Sequence, residues 1–175
     1  MGIGPWDVSQ VILTHLHTDH AGGLGHVVGS KTWVHEDELK RAQGLMGRLN
    51  GYLPHRWPKW WQPEPLQFRD RAIGQFSQSA AISANEEILV VPTPGHTRAH
   101  VSVLVQGSPA ILLAGDTSYS QSLLVADVVD GVSPDEEVSR QTLGLIRELA
   151  RLQPLVYLPS HDLDSQSRLE GGITL

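Results

Sequence analysis

Thr14-His15-Leu16-His17-Thr18-Asp19-His20-Ala21-Gly22-Gly23 follows an apolar run and sets three histidines and one aspartate within six residues. Imidazole and carboxylate are ligands for zinc and similar borderline divalent metals, and four of them this close cannot all reach one ion unless the backbone turns tightly. The spacing therefore points to two metals. In an extended or looped segment His15 and His17 share one side, while Asp19 and His20, past the bend, face a second centre. A lone surface histidine carries no such meaning, but a short His-rich tract is itself a metal-binding signal.

Upstream of this stretch, Val8 to Leu13 reads as a short strand. Val11, Ile12 and Leu13 are continuous, which predicts burial on both faces, and the strand delivers the His-rich loop at its C-terminal end. Downstream, three more polar groups stand in strand-end contexts: Thr93-Pro94-Gly95-His96-Thr97, Leu113-Ala114-Gly115-Asp116, and Pro159-Ser160-His161-Asp162.

His-x-His-x-Asp-His after a hydrophobic strand, followed in order by a Gly-His, a strand-end Asp and a final His, resembles the signature of the metallo-β-lactamase fold superfamily. Its members are mostly metal-dependent hydrolases. The resemblance runs from Val8 to about Asp162 and implies an α/β (α+β layered) fold, an αββα sandwich. It also implies that His15, His17 and His96 hold one metal, that Asp19, His20 and His161 hold a second, and that Asp116 bridges them. The cofactors expected are two divalent ions, Zn2+ by type. Two such ions about 3.5 to 4 Å apart lower the pKa of a shared water toward neutrality, giving a hydroxide nucleophile. Superfamily domains carry several strands before the motif, whereas about a dozen residues precede it here. An N-terminally truncated domain is therefore expected, with a homo-oligomer covering the sheet.

The Asp116-Thr117-Ser118-Tyr119 arrangement is similar to that of the superfamily's N-acyl homoserine lactonases, where a phenol projects toward the substrate carbonyl. A neutral phenol donates to a developing oxyanion without titrating near pH 7. The other reading of Tyr119 is an aromatic packed beneath the site. Asp19, Asp116 and Tyr119 are the expected catalytic residues, and the expected reaction opens the ester ring of a lactone such as an N-acyl homoserine lactone. Other ester or thioester hydrolysis is the alternative, and a metal-binding fragment or interaction module is the non-enzymatic one. Glyoxalase II looks similar through the metal motifs, but it carries a glutathione-binding helical region after the final His, and 14 residues follow His161 here. His100, four after His96, supports a ligand or packs in the core. Asp162 and Asp164 are either carboxylates that support the ligands from behind or, by default, loop acids, and His26 and His35 are structural.

At 175 residues the chain fits one domain, a size that buries about 70% of its unfolded surface. With 17 Gly and 11 Pro it is rich in loops, where sites are built. A net charge of −6 without a basic run argues against nucleic acid as a partner, and the resemblance implies a small-molecule substrate. No apolar run is long enough to span a membrane and no leader pattern opens the chain, so a cytoplasmic protein without membrane association is expected. The absence of cysteine removes disulfides and thiolate ligands alike.

The remaining elements follow from pattern. A strand is expected over Lys31 to Val34 and a helix over Glu36 to Met46, with Leu39, Ala42, Leu45 and Met46 on one face. Residues 47–68 hold four prolines, an Asn-Gly and the aromatics Tyr52, Trp57, Trp60, Trp61 and Phe68. They read as an irregular insertion, either a lid or wall for an acyl chain or a patch for a second subunit. Strands are expected at Ser79 to Ser83, Ile88 to Pro92, Val101 to Val105 (alternating), Ala110 to Leu113 and Val156 to Leu158. Ser133-Pro134-Asp135-Glu136 predicts a helix capped by Ser133 and running to Leu152, with a core stripe of Val138, Thr142, Leu145, Leu149 and Leu152. The last residues, from about 168, read as an untethered tail.

Overall fold

The structure, a computed structural model, describes residues 2–175 and, for Leu45 and Met46, the backbone alone. The chain divides into two compact units, Met1–Leu66 and Gln67–Leu175.

The N-terminal unit is built on a parallel sheet in the order β1 (Gln10–Ile12), β2 (Lys31–Val34), β3 (Glu64–Pro65). Parallel neighbours need a crossover between them, and the first crossover holds the His-rich loop. Gln10 pairs with Lys31 and Ile12 with Trp33, and the Leu13 N–H donates to the Trp33 carbonyl. The chain then leaves the sheet, turns at His17 and forms the short helix α1 (Thr18–Ala21). Strand β1 is shorter than expected and lies at the sheet edge, so Val11 and Ile12 are only half-buried. The expected burial on both faces is not found there.

Helix α2 (Glu36–Gln43) starts where expected, with the His35 ring accepting from the Asp37 N–H at 3.2 Å and three acids in its first turn at the positive end of the helix dipole. It ends earlier than the pattern suggested. Gly44 is extended (φ −75°, ψ 162°) and a separate helix α3 (Leu45–Leu49) follows, so the expected single helix to Met46 is two. The Leu45 and Met46 side chains placed on its apolar face lie outside the described residues.

Residues 47–68 are not simply an appended lid or patch. Tyr52 and Trp61 are buried and join Leu13, Leu16, Leu24, Val34 and Ala42 in the core of this unit, with Trp57 packed on it. Their polar ends find partners, as buried Tyr and Trp require: the Tyr52 hydroxyl donates to Glu38 Oε1 at 2.8 Å and the Trp61 indole N–H to Thr32 Oγ1 at 2.9 Å. Of the adjacent pair Trp60 and Trp61, only Trp60 remains exposed.

The C-terminal unit carries a five-stranded sheet in the order β4 (Ala80–Ala81), β5 (Ile88–Pro92), β6 (Val101–Val105), β7 (Ala110–Gly115), β8 (Leu155–Pro159). All neighbours are antiparallel except β7 and β8. Between β7 and β8 run α4 (Gln121–Val125) and α5 (Glu136–Leu152), followed after β8 by α6 (Ser165–Gly171). Phe76, Leu89, Val91, Leu104, Leu112 and Tyr157 pack with Leu124, Leu143, Ile146 and Leu149 into one core. Strand β6 does not present the alternation expected of it: Val101 to Leu104 are all buried, including Ser102, whose hydroxyl donates to the Ala114 carbonyl at 3.1 Å.

The cap of α5 is Asp135, two residues after the expected Ser133, and its carboxylate accepts from the Val138 N–H at 3.2 Å. Ser133 is otherwise engaged, its N–H donating to Asp130 Oδ1 at 2.6 Å. The buried stripe is Ser139, Thr142, Leu143, Ile146 and Leu149, while Leu152 is exposed. Thr142 and Leu149 are buried as expected, while Ser139, Leu143 and Ile146 take the places assigned to Val138, Leu145 and Leu152. The end of the chain is tethered: the Leu175 N–H donates to the Leu155 carbonyl at 2.9 Å, that of Ile173 to Arg168, and the Leu175 side chain packs on the core.

Candidate metal centre

In the N-terminal unit the loop after β1 brings three imidazoles together. The His15 ring lies 4.6 Å from that of His17 and 4.1 Å from that of His20. Their orientation is set locally. His15 Nδ1 meets the Thr14 hydroxyl at 3.1 Å, which leaves Nε2 as the candidate ligand atom. Asp19 sits in the first turn of α1 with Oδ2 3.6 Å from His20 Nε2, and it is exposed.

Two groups that sequence reading passed over hold this loop. Glu38, fully buried, accepts from the Leu16 N–H at 3.2 Å between the two histidines and from the Tyr52 hydroxyl. The Tyr52 ring in turn lies 4.9 Å from that of His17. Gly51 has φ +85°, and a Cβ there would stand 3.3 Å from the His17 ring, while its carbonyl accepts from the Thr18 hydroxyl at 2.9 Å. Glycine suits both the left-handed backbone and the close approach. The Pro- and aromatic-rich segment therefore braces the His-rich loop.

In the C-terminal unit β5, β7 and β8 run in the same direction, so their C-terminal ends share one rim of the sheet, and from that rim come His96, Asp116 and His161. Gly115 pairs with Pro159 and its carbonyl accepts from the Ser160 N–H at 2.9 Å, which sets the next residues of both strands side by side. Asp116 Oδ2 lies 3.1 Å from His161 Nε2 and 3.5 Å from His96 Nε2. The turn bearing His96 is clamped by α5: Thr142 Oγ1 donates to the Pro94 carbonyl at 2.5 Å, and a Cβ on Gly95 would stand 2.7 Å from Ser139 Oγ. Only glycine permits that contact.

His100 is buried and makes two linked contacts, Nδ1 with Thr93 Oγ1 at 2.9 Å and Nε2 accepting the Asp116 N–H at 3.1 Å. It positions the backbone of a candidate ligand. Asp162 is more than a loop acid. Its Oδ2 accepts from Arg168 at 2.6 Å and from the Gln121 N–H at 2.8 Å, tying the His161 loop to the start of α4. Burial pushes the Asp162 carboxyl up, but the backbone N–H groups of Gln121 and Asp164 together with Arg168 outweigh it and hold the group below its usual range. Asp164 offers its N–H to Asp162, and His26 is exposed.

Tyr119 is half-buried with its ring 5.3 Å from that of His161 and 6.0 Å from that of His96. The turn that carries it is anchored by Tyr157, whose hydroxyl lies 2.7 Å from both Thr117 Oγ1 and Ser118 Oγ. Burial raises the Tyr157 phenol from 10.0 to about 12, outweighing the two hydroxyl contacts that act in the opposite sense. The folded state therefore keeps a proton that the unfolded chain releases, so this contribution to stability is intact below pH 10.0 and is lost as pH rises toward about 12. Urea midpoints measured across that interval are expected to fall, and Tyr157→Phe is expected to flatten the fall. An equally steep alkaline decline in the variant would assign it to another group.

The donor chemistry suits divalent metal. Each unit supplies imidazole nitrogens and a carboxylate and no thiolate, with the ring nitrogens of His15 and His17 within 4.8 Å of each other and the Asp116 carboxylate facing two imidazoles. The profile of the metallo-beta-lactamase superfamily matches residues 1–161. The chain belongs to this superfamily. Among curated superfamily relatives, the N-acyl homoserine lactonase AiiB of Agrobacterium fabrum is 27% identical over 174 residues, 97% of this chain and 62% of that protein. The hydroxyacylglutathione hydrolase of Pseudomonas putida strain GB-1 is 28% identical over 116 residues, 66% of this chain and 35% of that one. A solved N-acyl homoserine lactone hydrolase with the product N-hexanoyl-L-homoserine at its catalytic metal center matches with TM-score 0.75 at 21% identity, covering 95% of this chain and 60% of that chain. The fold, α/β with mixed sheets, is that of the metallo-beta-lactamase superfamily, and the chain spans about 60% of the length of the lactonases it matches. Among the described residues no helix is long and apolar enough to cross a membrane.

Proposed function

We propose that this superfamily member is a metal-dependent hydrolase that opens the ester ring of a lactone such as an N-acyl homoserine lactone. In this reading His15, His17 and His96 would hold one divalent ion of the zinc type, Asp19, His20 and His161 would hold another, and Asp116 would serve both. The ligand assignment follows the superfamily motif. The observation that favours a lactone is Tyr119, set beside the His161 and His96 rings at the rim of the C-terminal sheet. Similarity to lactonases over nearly the whole chain supports it.

When bound, such ions acidify a water and draw electron density from the ester carbonyl. The chain's own groups supply the rest. The Tyr119 hydroxyl donates a hydrogen bond to the carbonyl oxygen as negative charge builds on it. Asp19 and Asp116, acceptor-only when ionised, hold the cations and can take the proton that water gives up. As the water oxygen bonds to the acyl carbon and the acyl C–O bond breaks, that proton passes to the ring oxygen, leaving an alcohol and a carboxylic acid that releases its remaining proton to solvent. No Ser or Cys nucleophile enters. The substrate in this proposal is a small molecule and the location cytoplasmic. The exposed Trp6 and Trp60 support a homo-oligomer.

The test combines metal analysis with a substrate panel. Close to two equivalents of zinc per chain are expected after loading, with loss of stability on chelation, and turnover of acyl homoserine lactones ahead of thioesters and β-lactams. Less than one equivalent after careful loading sinks the two-metal reading. Faster turnover of S-acyl glutathione, the direction in which the hydroxyacylglutathione hydrolase similarity points, replaces the lactone by a thioester.

A further inference from the structure

Asp130 carries no motif, sits in the loop before α5 and lies 34 residues from His96 in sequence, yet its Oδ2 is 3.2 Å from His96 Nδ1. Both side chains are nearly inaccessible, 4% for His96 and 2% for Asp130. The carboxylate is also fixed at its other oxygen: Oδ1 accepts from the Val132 N–H at 2.9 Å and from the Ser133 N–H at 2.6 Å. An ionised carboxylate only accepts hydrogen bonds, so the proton in the Asp130–His96 contact belongs to the imidazole, at Nδ1. In the neutral ring the lone pair is then on Nε2, the atom turned toward Asp116 Oδ2 at 3.5 Å.

We propose that Asp130 is the positioning residue for His96: it selects the tautomer protonated at Nδ1 and fixes the ring so that Nε2 faces a divalent cation shared with Asp116. The inference rests on the metal reading above and adds to it a group outside the ligand set. A buried carboxylate behind a ligating imidazole raises its basicity and removes the cost of orienting it. The same carboxylate turns the backbone at Val132 and Ser133, so a merely structural role must be separated from a positioning one.

Asp130→Asn separates them. The amide oxygen can still accept from the Val132 and Ser133 N–H groups, whereas the amide NH2 opposite Nδ1 favours a ring protonated at Nε2, the wrong tautomer for a cation. Asp130→Ala removes both roles, and Asp130→Glu probes rescue by a longer carboxylate. The readouts are 15N chemical shifts of the His96 ring in metal-free protein and zinc affinity by chelator competition. In Asp130→Asn the proton is expected to move from Nδ1 to Nε2 and zinc affinity to fall about 10- to 100-fold, with the urea midpoint of the metal-free protein near that of wild type. Wild-type zinc affinity together with an unchanged Nδ1 proton in Asp130→Asn overturns the proposal. If wild-type protein takes up no divalent metal, the metal reading fails, and the His96 shifts still decide separately whether Asp130 sets the tautomer. A Nδ1 proton that stays in place in Asp130→Asn then defeats that claim as well.

Discussion

Asp116→Ala is expected to reduce hydrolysis by metal-loaded protein to background and to lower metal content by at least one equivalent. Asp116 Oδ2 faces His161 Nε2 at 3.1 Å and His96 Nε2 at 3.5 Å, so its removal takes away the carboxylate that both imidazoles address. The loop need not collapse, because the N–H of residue 116 still reaches His100 Nε2 and the Gly115 carbonyl still accepts from Ser160. Circular dichroism near that of wild type, beside lost turnover and lost zinc, is the combined signature. His17→Ala should behave alike in turnover. Near-normal rates in either variant, with wild-type contamination excluded, would place the chemistry elsewhere.

Tyr119→Phe carries the second large effect, and it should separate from the first in metal content. The ring is held beside His161 and His96 by a turn anchored at Tyr157. Loss of the hydroxyl alone therefore leaves packing and ligands intact. If the phenol donates to the developing oxyanion, kcat on an acyl homoserine lactone falls by about 10² to 10³ while zinc stoichiometry is unchanged. Equal turnover by the phenylalanine variant would reduce Tyr119 to an aromatic beside the ligands and remove the support it gives to a lactone substrate.

The loops that carry the candidate ligands were legible because each depends on local pattern: an apolar run, then a glycine or a turn, then a residue type able to bind metal. Strands β2 and β5 read cleanly for the same reason. What sequence reading missed depends on contacts distant in sequence. Asp130 reaches His96 across 34 residues and Asp162 reaches Gln121 across 41, and no periodicity encodes either. Glu38 reads as one more acid in the first turn of a helix until the fold buries it against Leu16 and Tyr52.

The burial of Tyr52 and Trp61 within the aromatic segment was not legible for a related reason. Tyr and Trp mark binding surfaces and cores alike, and what decides between them is whether the hydroxyl or indole N–H finds a partner. Thr32 and Glu38 supply those partners for Trp61 and Tyr52, a fact available only in three dimensions. An acyl chain, if the protein takes one, would find Trp61 committed to the interior. The helix cap differed because Asp130 had already drawn Ser133 into a turn, leaving Asp135 as the first side chain able to cap.

The parallel pairing of β7 with β8 has a kinetic consequence. Asp116 and His161 are 45 residues apart and become neighbours only when β8 docks against β7, after α4 and α5 have been threaded between them. Such a connection pays its loop-closure entropy before any contact rewards it, which places this pairing late in folding. If the main barrier precedes this docking, divalent ions recognising that rim would meet a chain that has already crossed it. Their effect would then fall on the unfolding rate, lengthening the lifetime of the native state while leaving the rate of its formation nearly untouched.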